Sequence, residues 1–380
     1  MRLTWNAFYA FLFLYRCAGS VFAQLVLMRF TLIADTQHYQ NQNINNAISL
    51  AKSIDPTIAW LMRGIATDLT GLIGGIFSFL FMGNPILINI GFQSIAFVGI
   101  VSLLRSVDPN ARKWLAILVM LPSFTLWSSM AAKEPLVVFF VCILLKYVID
   151  IYHNRENFRL YHVLMLALLY IFKPHFLPAI VFLMFISKIA KMTRYPATLA
   201  LTAGSFSLYL LYLMRDLVDR VALLIGEWVN EPGLSSRPGT LLTAQYDIFT
   251  KAPEGMLLAF MGPTLSEASG RVLHLISYAE SSFMLLLLFF YIFIRLPNIP
   301  AYSFFIGIFT VFWIMFAVYP LGTNNPGTAV RFRTDFIMII YVAVIVIMSR
   351  SLYINWREMI PPSNGLKRLI PNNRIPAADT

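Results

Sequence analysis

Apolar runs of about 20 residues recur along this chain, and they constrain its fold more than any other feature. Of its 380 residues, 58% are hydrophobic and only 12% are charged. Soluble domains carry about 25% charged residues, and the mean hydropathy here is +0.71. An apolar run of this length crosses a bilayer as an α-helix, which satisfies its own backbone hydrogen bonds. The sequence therefore predicts an all-α, polytopic transmembrane helical bundle.

We predict about ten spans from the positions of these apolar runs. They are residues 7–33, 86–105, 114–132, 135–151, 160–172, 176–192, 197–213, 272–294, 301–320 and 334–350. The prediction makes residues 1–350 a single transmembrane domain and residues 351–380 a basic C-terminal tail.

The basic residues orient the predicted spans. The net charge is +11, but the Arg and Lys residues form small clusters at the ends of apolar segments, as the positive-inside rule produces, and not a nucleic-acid-binding surface. The clusters are Arg105/Arg112/Lys113, Arg155/Arg159, Lys188/Lys191/Arg194, Arg295 and Arg350/Arg357/Lys367/Arg368/Arg374. Placing both termini in the cytoplasm puts every cluster on the cytoplasmic side. Two large extracytoplasmic loops then comprise residues of about 34–85 and 214–271. Any catalytic residues are expected on this outer side.

Asp35 is the first acidic residue of the chain, and it lies where the first apolar segment ends. An ionisable group at the mouth of a span is costly unless it is solvated or paired, which makes it a candidate functional residue. His38 and Tyr39 follow at i+3 and i+4, on the same face of a helical turn. These residues are equally compatible with a solvated acidic helix cap.

Two further charged clusters lie at predicted outer span ends. Lys133 and Glu134 interrupt two nearly continuous apolar runs, so Lys133 could hold an anionic group that Glu134 orients. The alternative is a tight turn with a self-neutralising pair. In Lys173-Pro174-His175 the proline breaks helix geometry, and broken helices are tolerated where they line a cavity. Snorkelling of Lys173 to the interface is the alternative there.

Arg331 and Arg333 stand just outside the last predicted span, where the positive-inside rule disfavours them. Arginine forks suit phosphate oxygens, so a phosphate or pyrophosphate on a lipid carrier is an apt partner. An internal pair of Arg333 with Asp335 or Asp35 is the structural alternative.

Several function classes lack their motifs. The sequence contains no Walker loop, dinucleotide fingerprint, Gly-x-Ser-x-Gly elbow or His-Glu-x-x-His motif, so it does not support ATP-driven transport or metalloprotease activity. Cys17 and Cys142 lie in apolar runs without metal or redox spacing, which indicates packing residues.

The order of these features resembles the GT-C superfamily of membrane glycosyltransferases that use polyprenyl-phosphate-linked sugars. The resemblance is carried by Asp35 with Tyr39, the stretch from Gly83-Asn84-Pro85 to Arg105, Leu121-Pro122-Ser123 with Lys133-Glu134, Lys173-Pro174-His175, and Arg331-Phe332-Arg333. It is also similar to the polymerases of exopolysaccharide and O-antigen pathways. Many GT-C members have paired acids in the first loop, whereas Thr36 follows Asp35 here.

The resemblance implies a bacterial inner-membrane enzyme whose active side faces the periplasm or exterior. It would transfer a sugar or oligosaccharide from a polyprenyl-linked donor to a glycan or lipid acceptor, as a transferase or a polymerase. Asp35 would be the general base, aided by His38, and a divalent cation is left open. Tyr39, Lys133, Glu134, Lys173, His175, Arg331 and Arg333 would bind substrate.

A different class, a non-catalytic flippase for lipid-linked glycans, would use the same basic cavity to hold phosphate. Two large outer loops with short basic inner connections favour the enzyme, because a transporter needs comparable access from both faces. The internal repeat typical of many transporters is not evident in the sequence.

Overall fold

The computed structural model describes residues 5–30, 34–42, 58–155, 157–229, 237, 242–269, 271–295 and 299–347. All regular secondary structure in these ranges is helical, which confirms the all-α fold. The whole predicted tail, residues 351–380, lies outside these ranges, as do the first four residues.

The first group of described helices extends from α1 to α8. The helices are α1 (Trp5–Phe22), continued by a π-helical turn (Ala23–Leu27) into α2 (Met28–Phe30), then α3 (Ala34–Gln40), α4 (Ile58–Leu80), α5 (Pro85–Ser106), α6 (Pro109–Val119), α7 (Pro122–Trp127) and α8 (Lys133–Tyr152).

The second group completes the described bundle. It consists of α9 (Leu160–Phe172), a 3₁₀ turn (Pro174–Phe176), α10 (Leu177–Met192), α11 (Pro196–Leu213), α12 (Arg215–Val229), α13 (Asp247–Thr250), α14 (Ala252–Met261), α15 (Leu265–Ala268), α16 (Val272–Arg295), α17 (Ala301–Gly322) and α18 (Pro326–Tyr341), which ends in a π-helical turn (Val342–Ile347).

Seven helices in the described ranges are long and apolar enough to cross a membrane. They are Trp5–Leu27, Pro85–Ser106, Lys133–Tyr152, Pro174–Met192, Pro196–Leu213, Val272–Ile294 and Ala301–Gly322. Each coincides with a predicted span, and together they identify an integral membrane protein.

The other three predicted spans differ from this pattern. Residues 114–132 do not form one continuous helix, because α6 ends at Val119 and α7 begins at Pro122. Pro122 has no N–H to continue the helix, and the preceding residue is extended, as proline requires. Helix α9 has only 13 residues. Helix α18 carries three charged residues in its first turns, and residues 348–350 of that span lie outside the described ranges.

Two helices form the centre of the bundle. In an apolar 18-residue stretch of α8, 78% of the residues are buried. Helix α18 is buried from Arg333 to its end. Helix α8 packs closely on α5 because Gly99 has no side chain: a Cβ there would lie 2.8 Å from the Phe139 Cα. Small residues of this kind let membrane helices approach each other. The N-terminal ends of α8 and α18 carry the charged residues of the candidate site.

The predicted first outer loop contains helical structure, and glycine determines how it packs. Helix α4 carries Gly71 and Gly74, and a Cβ at Gly74 would lie 2.4 Å from the Tyr39 carbonyl oxygen. The absence of that carbon lets α3 rest on α4. This contact holds the segment that carries Asp35.

The predicted second outer loop, 214–271, holds α12 to α15 in its described part. Arg237 ties this region to the turn after α17: it donates to the Thr323 carbonyl at 3.0 Å and pairs with Glu267. Partial burial raises the pKa of Glu267, but the Arg237 guanidinium and hydrogen bonds from Thr264 outweigh it and lower the pKa to about 2.

We predict that Gly74→Ala destabilises the protein and that Gly71→Ala does not. The new Cβ at position 74 meets backbone, and overpacking of this kind costs about 1–3 kcal/mol. At position 71 the nearest atoms would be 3.7 Å away, in ordinary contact, and alanine favours helix more than glycine does. Thermal unfolding of the two purified variants in detergent compares them. Equal melting temperatures would contradict the packing of α3 on α4.

Candidate functional site

Helix α3 presents Asp35 at the edge of the bundle. The Asp35 side chain is 52% exposed, whereas Tyr39, one turn later, is buried. His38 is exposed, and its Nε2 lies 3.0 Å from the Gln42 side-chain nitrogen. Asp35 and His38 are therefore the exposed members of this predicted group, and Tyr39 is its packing anchor.

Arg331 joins Asp35 to Glu134. Its Nη1 donates to Asp35 Oδ2 at 2.8 Å, and its Nε donates to Glu134 Oε1 at 2.6 Å. Its Nη2 reaches Glu134 Oε2 at 3.3 Å, and its guanidinium lies 5.8 Å from the Trp127 ring centroid. Asp35 and Arg331 are 296 positions apart in the sequence, yet they are in direct contact, and Glu134 binds the same guanidinium. We call Asp35, Arg331 and Glu134 the Arg331 cluster.

The N-terminus of α8 contributes one buried acid and one available cation. The Glu134 side chain is 1% exposed, and its partner is Arg331. Lys133 is half-buried beside the cluster, and within the described residues its ammonium makes no hydrogen bond or ion pair. The alternative of a self-neutralising Lys133–Glu134 pair is therefore wrong. Lys133 is free to hold an anion.

A second ion pair lies one turn further along α18, about 6 Å at 1.5 Å per residue. Lys173 Nζ lies 3.3 Å from Asp335 Oδ2 and 3.7 Å from the Phe332 ring centroid. Among the described residues, none donates a well-formed hydrogen bond to either Asp335 oxygen, although Asp335 is fully buried. The His175 ring lies 5.8 Å from that of Phe332. The break between α9 and α10 therefore lies beside the Arg331 cluster.

Arg333 faces away from the cluster. Its guanidinium is 2% exposed and donates to Ser281 Oγ, to Ser123 Oγ at 3.2 Å and to the Met261 carbonyl at 3.2 Å. Glu280 is its acidic neighbour, at 4.0 Å. The alternative pairing of Arg333 with Asp335 or Asp35 is wrong, since positions i and i+2 of a helix do not face each other. Its Nη1 and Nη2 donate to groups within the protein, which makes Arg333 a structural residue in this arrangement.

An irregular buried segment, residues 128–132, leads into Lys133. Its backbone polar groups are satisfied by side chains from other helices, as buried groups require. Arg16 donates to the Ser128 carbonyl at 3.0 Å, and Ser20 donates to the Ser129 carbonyl at 2.9 Å. Non-helical backbone between apolar helices is tolerated where protein or a cavity satisfies it.

A buried amide network, which the sequence prediction did not find, connects α3 to this segment. Gln40 donates to Gln24 at 2.7 Å and to Asn89 at 2.9 Å. Asn89 also accepts from the Ala131 backbone N–H at 2.8 Å. Gln24 and Asn89 carry amide side chains inside apolar segments, and polar residues at such positions are candidates for a structural or functional role. The sequence does not reveal their partners. The network positions Asp35 relative to α8.

The charges around Asp35 set its protonation. Partial burial raises the pKa of the Asp35 carboxyl, but Arg331, followed by Lys133 and His38, outweighs burial and holds the pKa below its usual range. Asp35 is thus ionised at neutral pH, and the ion pair is lost only as the pH falls through the lowered pKa. Burial, followed by the charge on Asp35, raises the pKa of Tyr39 to about 12. Its phenol therefore stays protonated.

Comparisons of this chain with protein-family models, curated proteins and solved structures find no match.

We predict that Arg331→Gln raises the pKa of Asp35, because burial then acts without its largest opposing charge. Lys133→Gln should raise that pKa less, since Lys133 makes no direct bond to Asp35. Infrared titration of the purified variants, with the Asp35→Asn spectrum subtracted, isolates the carboxylate band. An Arg331→Gln titration identical to wild type would show that the ion pair does not form.

Proposed function

We propose that this chain is a membrane glycosyltransferase that takes a sugar or oligosaccharide from a polyprenyl-phosphate-linked donor. The product would be a cell-surface polysaccharide or glycolipid, made by a transferase or a polymerase. One observation carries the proposal: Asp35, Glu134 and Arg331 meet beside Lys133, which has no ion-pair partner among the described residues. A carboxylate base and cations for a phosphate leaving group are the two requirements of this reaction.

Asp35 is the proposed general base. Its exposed carboxylate takes the proton from an acceptor hydroxyl while that oxygen attacks the anomeric carbon. The bond between the anomeric carbon and the phosphate oxygen breaks, and its electron pair leaves with the phosphate. Inversion at the anomeric carbon is what the resemblance to the GT-C superfamily implies.

Lys133 and Arg331 are the proposed phosphate ligands. Charge grows on the phosphate as it departs, and preorganised cations stabilise that charge most effectively in a site from which water is excluded. Glu134 is buried and accepts hydrogen bonds from Nε and Nη2 of Arg331, so it fixes the guanidinium. The Nη1 of Arg331 can then donate either to Asp35 or to the phosphate. Release of Asp35 from Arg331 would make it a stronger base when the donor binds.

The proposed topology has about ten crossings with both termini in the cytoplasm of a bacterial cell, as the positive-inside rule predicts. The N-terminal ends of α8 and α18 then lie at the outer face. Arg105, Lys188 and Lys191 lie at the other ends of their helices, which supports this orientation. Asp35 and Glu134 already share Arg331, and the described residues contain no group of three or more potential metal ligands.

The test is sugar transfer by purified protein in liposomes, with radiolabelled polyprenyl-phosphate and polyprenyl-diphosphate sugars as donors. Loss of a general base lowers rates by about 10²–10⁴-fold, so Asp35→Asn should lower transfer by that factor while the donor still binds. Glu134→Gln should also lower it, through misplacement of Arg331.

Glu254→Gln is the matched control, since Glu254 is an exposed acid on α14 outside the cluster, and it should keep wild-type transfer. Wild-type transfer by Asp35→Asn would show that the base assignment is wrong. Donor binding and movement across the bilayer without any transfer would favour a flippase instead.

A further inference from the structure

A cavity of about 670 Å³ lies between α5 and α8, near their C-terminal ends. Asp150, one of its lining residues, follows Glu134 by 16 positions on α8, a distance of about 24 Å at 1.5 Å per residue. The cavity thus belongs to the other end of the bundle. It shares no residue with the Arg331 cluster, and its occupant is independent of the proposed function.

One wall of the cavity is apolar and continuous with the outer surface of α5. Phe97, Val98 and Val101 form this wall, and they lie on one face of the helix at i, i+1 and i+4. Val98 is 58% exposed, so the wall opens to the surroundings of the bundle. In a membrane-spanning helix such a surface faces hydrocarbon chains.

The rim of the cavity is cationic. Arg105, Lys146 and Arg155 line it together with a single acid, Asp150. Lys146 Nζ lies 2.5 Å from Asp150 Oδ2, so these two charges neutralise each other. Arg105 and Arg155 are both exposed, and no described carboxylate pairs with either of them. Two cations are therefore left for an outside anion.

The end of α8 brings Arg155 to this rim. Asn154 adopts a left-handed conformation with φ of 55°, which asparagine tolerates better than most residues. The Arg155 N–H then donates back to the Asp150 carbonyl at 2.9 Å. This reversal returns the chain over the cavity.

We propose that this cavity binds the headgroup of an anionic phospholipid, with the phosphate between Arg105 and Arg155 and an acyl chain along Phe97, Val98 and Val101. Guanidinium groups bind phosphate oxygens well, and the volume is that of a small-molecule pocket. A soluble phosphate compound would leave the apolar wall without a function. The phospholipid matches both the rim and the wall.

The experiment measures lipid binding to the full-length protein by native mass spectrometry, with phosphatidylglycerol and phosphatidylcholine as probes. Each basic residue near an anionic lipid contributes about a fivefold change in affinity. The Arg105→Gln/Arg155→Gln variant should therefore bind phosphatidylglycerol about 25-fold more weakly. The matched control is Lys113→Gln/Arg194→Gln, which removes two exposed charges outside the cavity and should bind like wild type.

A second variant tests the apolar wall without altering charge. Val98→Ser should weaken phosphatidylglycerol binding, and free glycerol phosphate should compete poorly. Equal binding of the two lipids by wild type, or wild-type binding by Arg105→Gln/Arg155→Gln, would overturn the proposal. Binding of free glycerol phosphate as tight as that of phosphatidylglycerol would also overturn it, in favour of a soluble phosphate compound.

Discussion

The bonds from Arg331 to Glu134 and Asp35 are the interaction on which the site depends. They bring together three segments that are distant in sequence: α3, the start of α8 and the start of α18. Glu134 is almost fully buried, and a charge removed from water is stable only when it is paired and hydrogen-bonded. Removing one partner of such a pair typically costs about 3–5 kcal/mol, because the other charge is left buried and alone. The pair is therefore both a structural and an electrostatic centre.

The rest of the bundle holds these charges in place before any substrate arrives. The amide network of Gln24, Gln40 and Asn89 and the close approach at Gly74 fix α3. Side chains from α1 satisfy the irregular segment before Lys133. Catalytic electrostatics is effective when its dipoles and charges need no reorganisation during the reaction. Polar residues inside an apolar bundle are expensive, and Glu134, Lys173 and Asp335 are buried at or beside this site.

Much of the fold, but only part of the site, could be predicted from the sequence. Apolar runs locate the long helices because helix length is set by bilayer thickness. A continuous helix over the predicted span 114–132 is wrong, because average hydropathy hides the effect of Pro122 on the helix. Asp35, Glu134 and Arg331 stood out as charges at span ends. The partner of each residue depends on helix rotation and packing, which hydropathy does not encode; Arg331 and Arg333 therefore looked equivalent although they face opposite sides of α18. The roles of His38, Tyr39, Lys173 and His175 in binding or catalysis stay predictions.

The most direct measurement of the central claim is a double-mutant cycle between Glu134→Gln and Arg331→Gln, read out as thermal unfolding of the purified protein in detergent. Residues in direct contact show coupling energies of about 0.5–3 kcal/mol. If Arg331 holds Glu134 as described, each single variant is strongly destabilised, and the double variant loses less stability than the two losses added together. Strictly additive losses would contradict the pairing and, with it, the arrangement of the site.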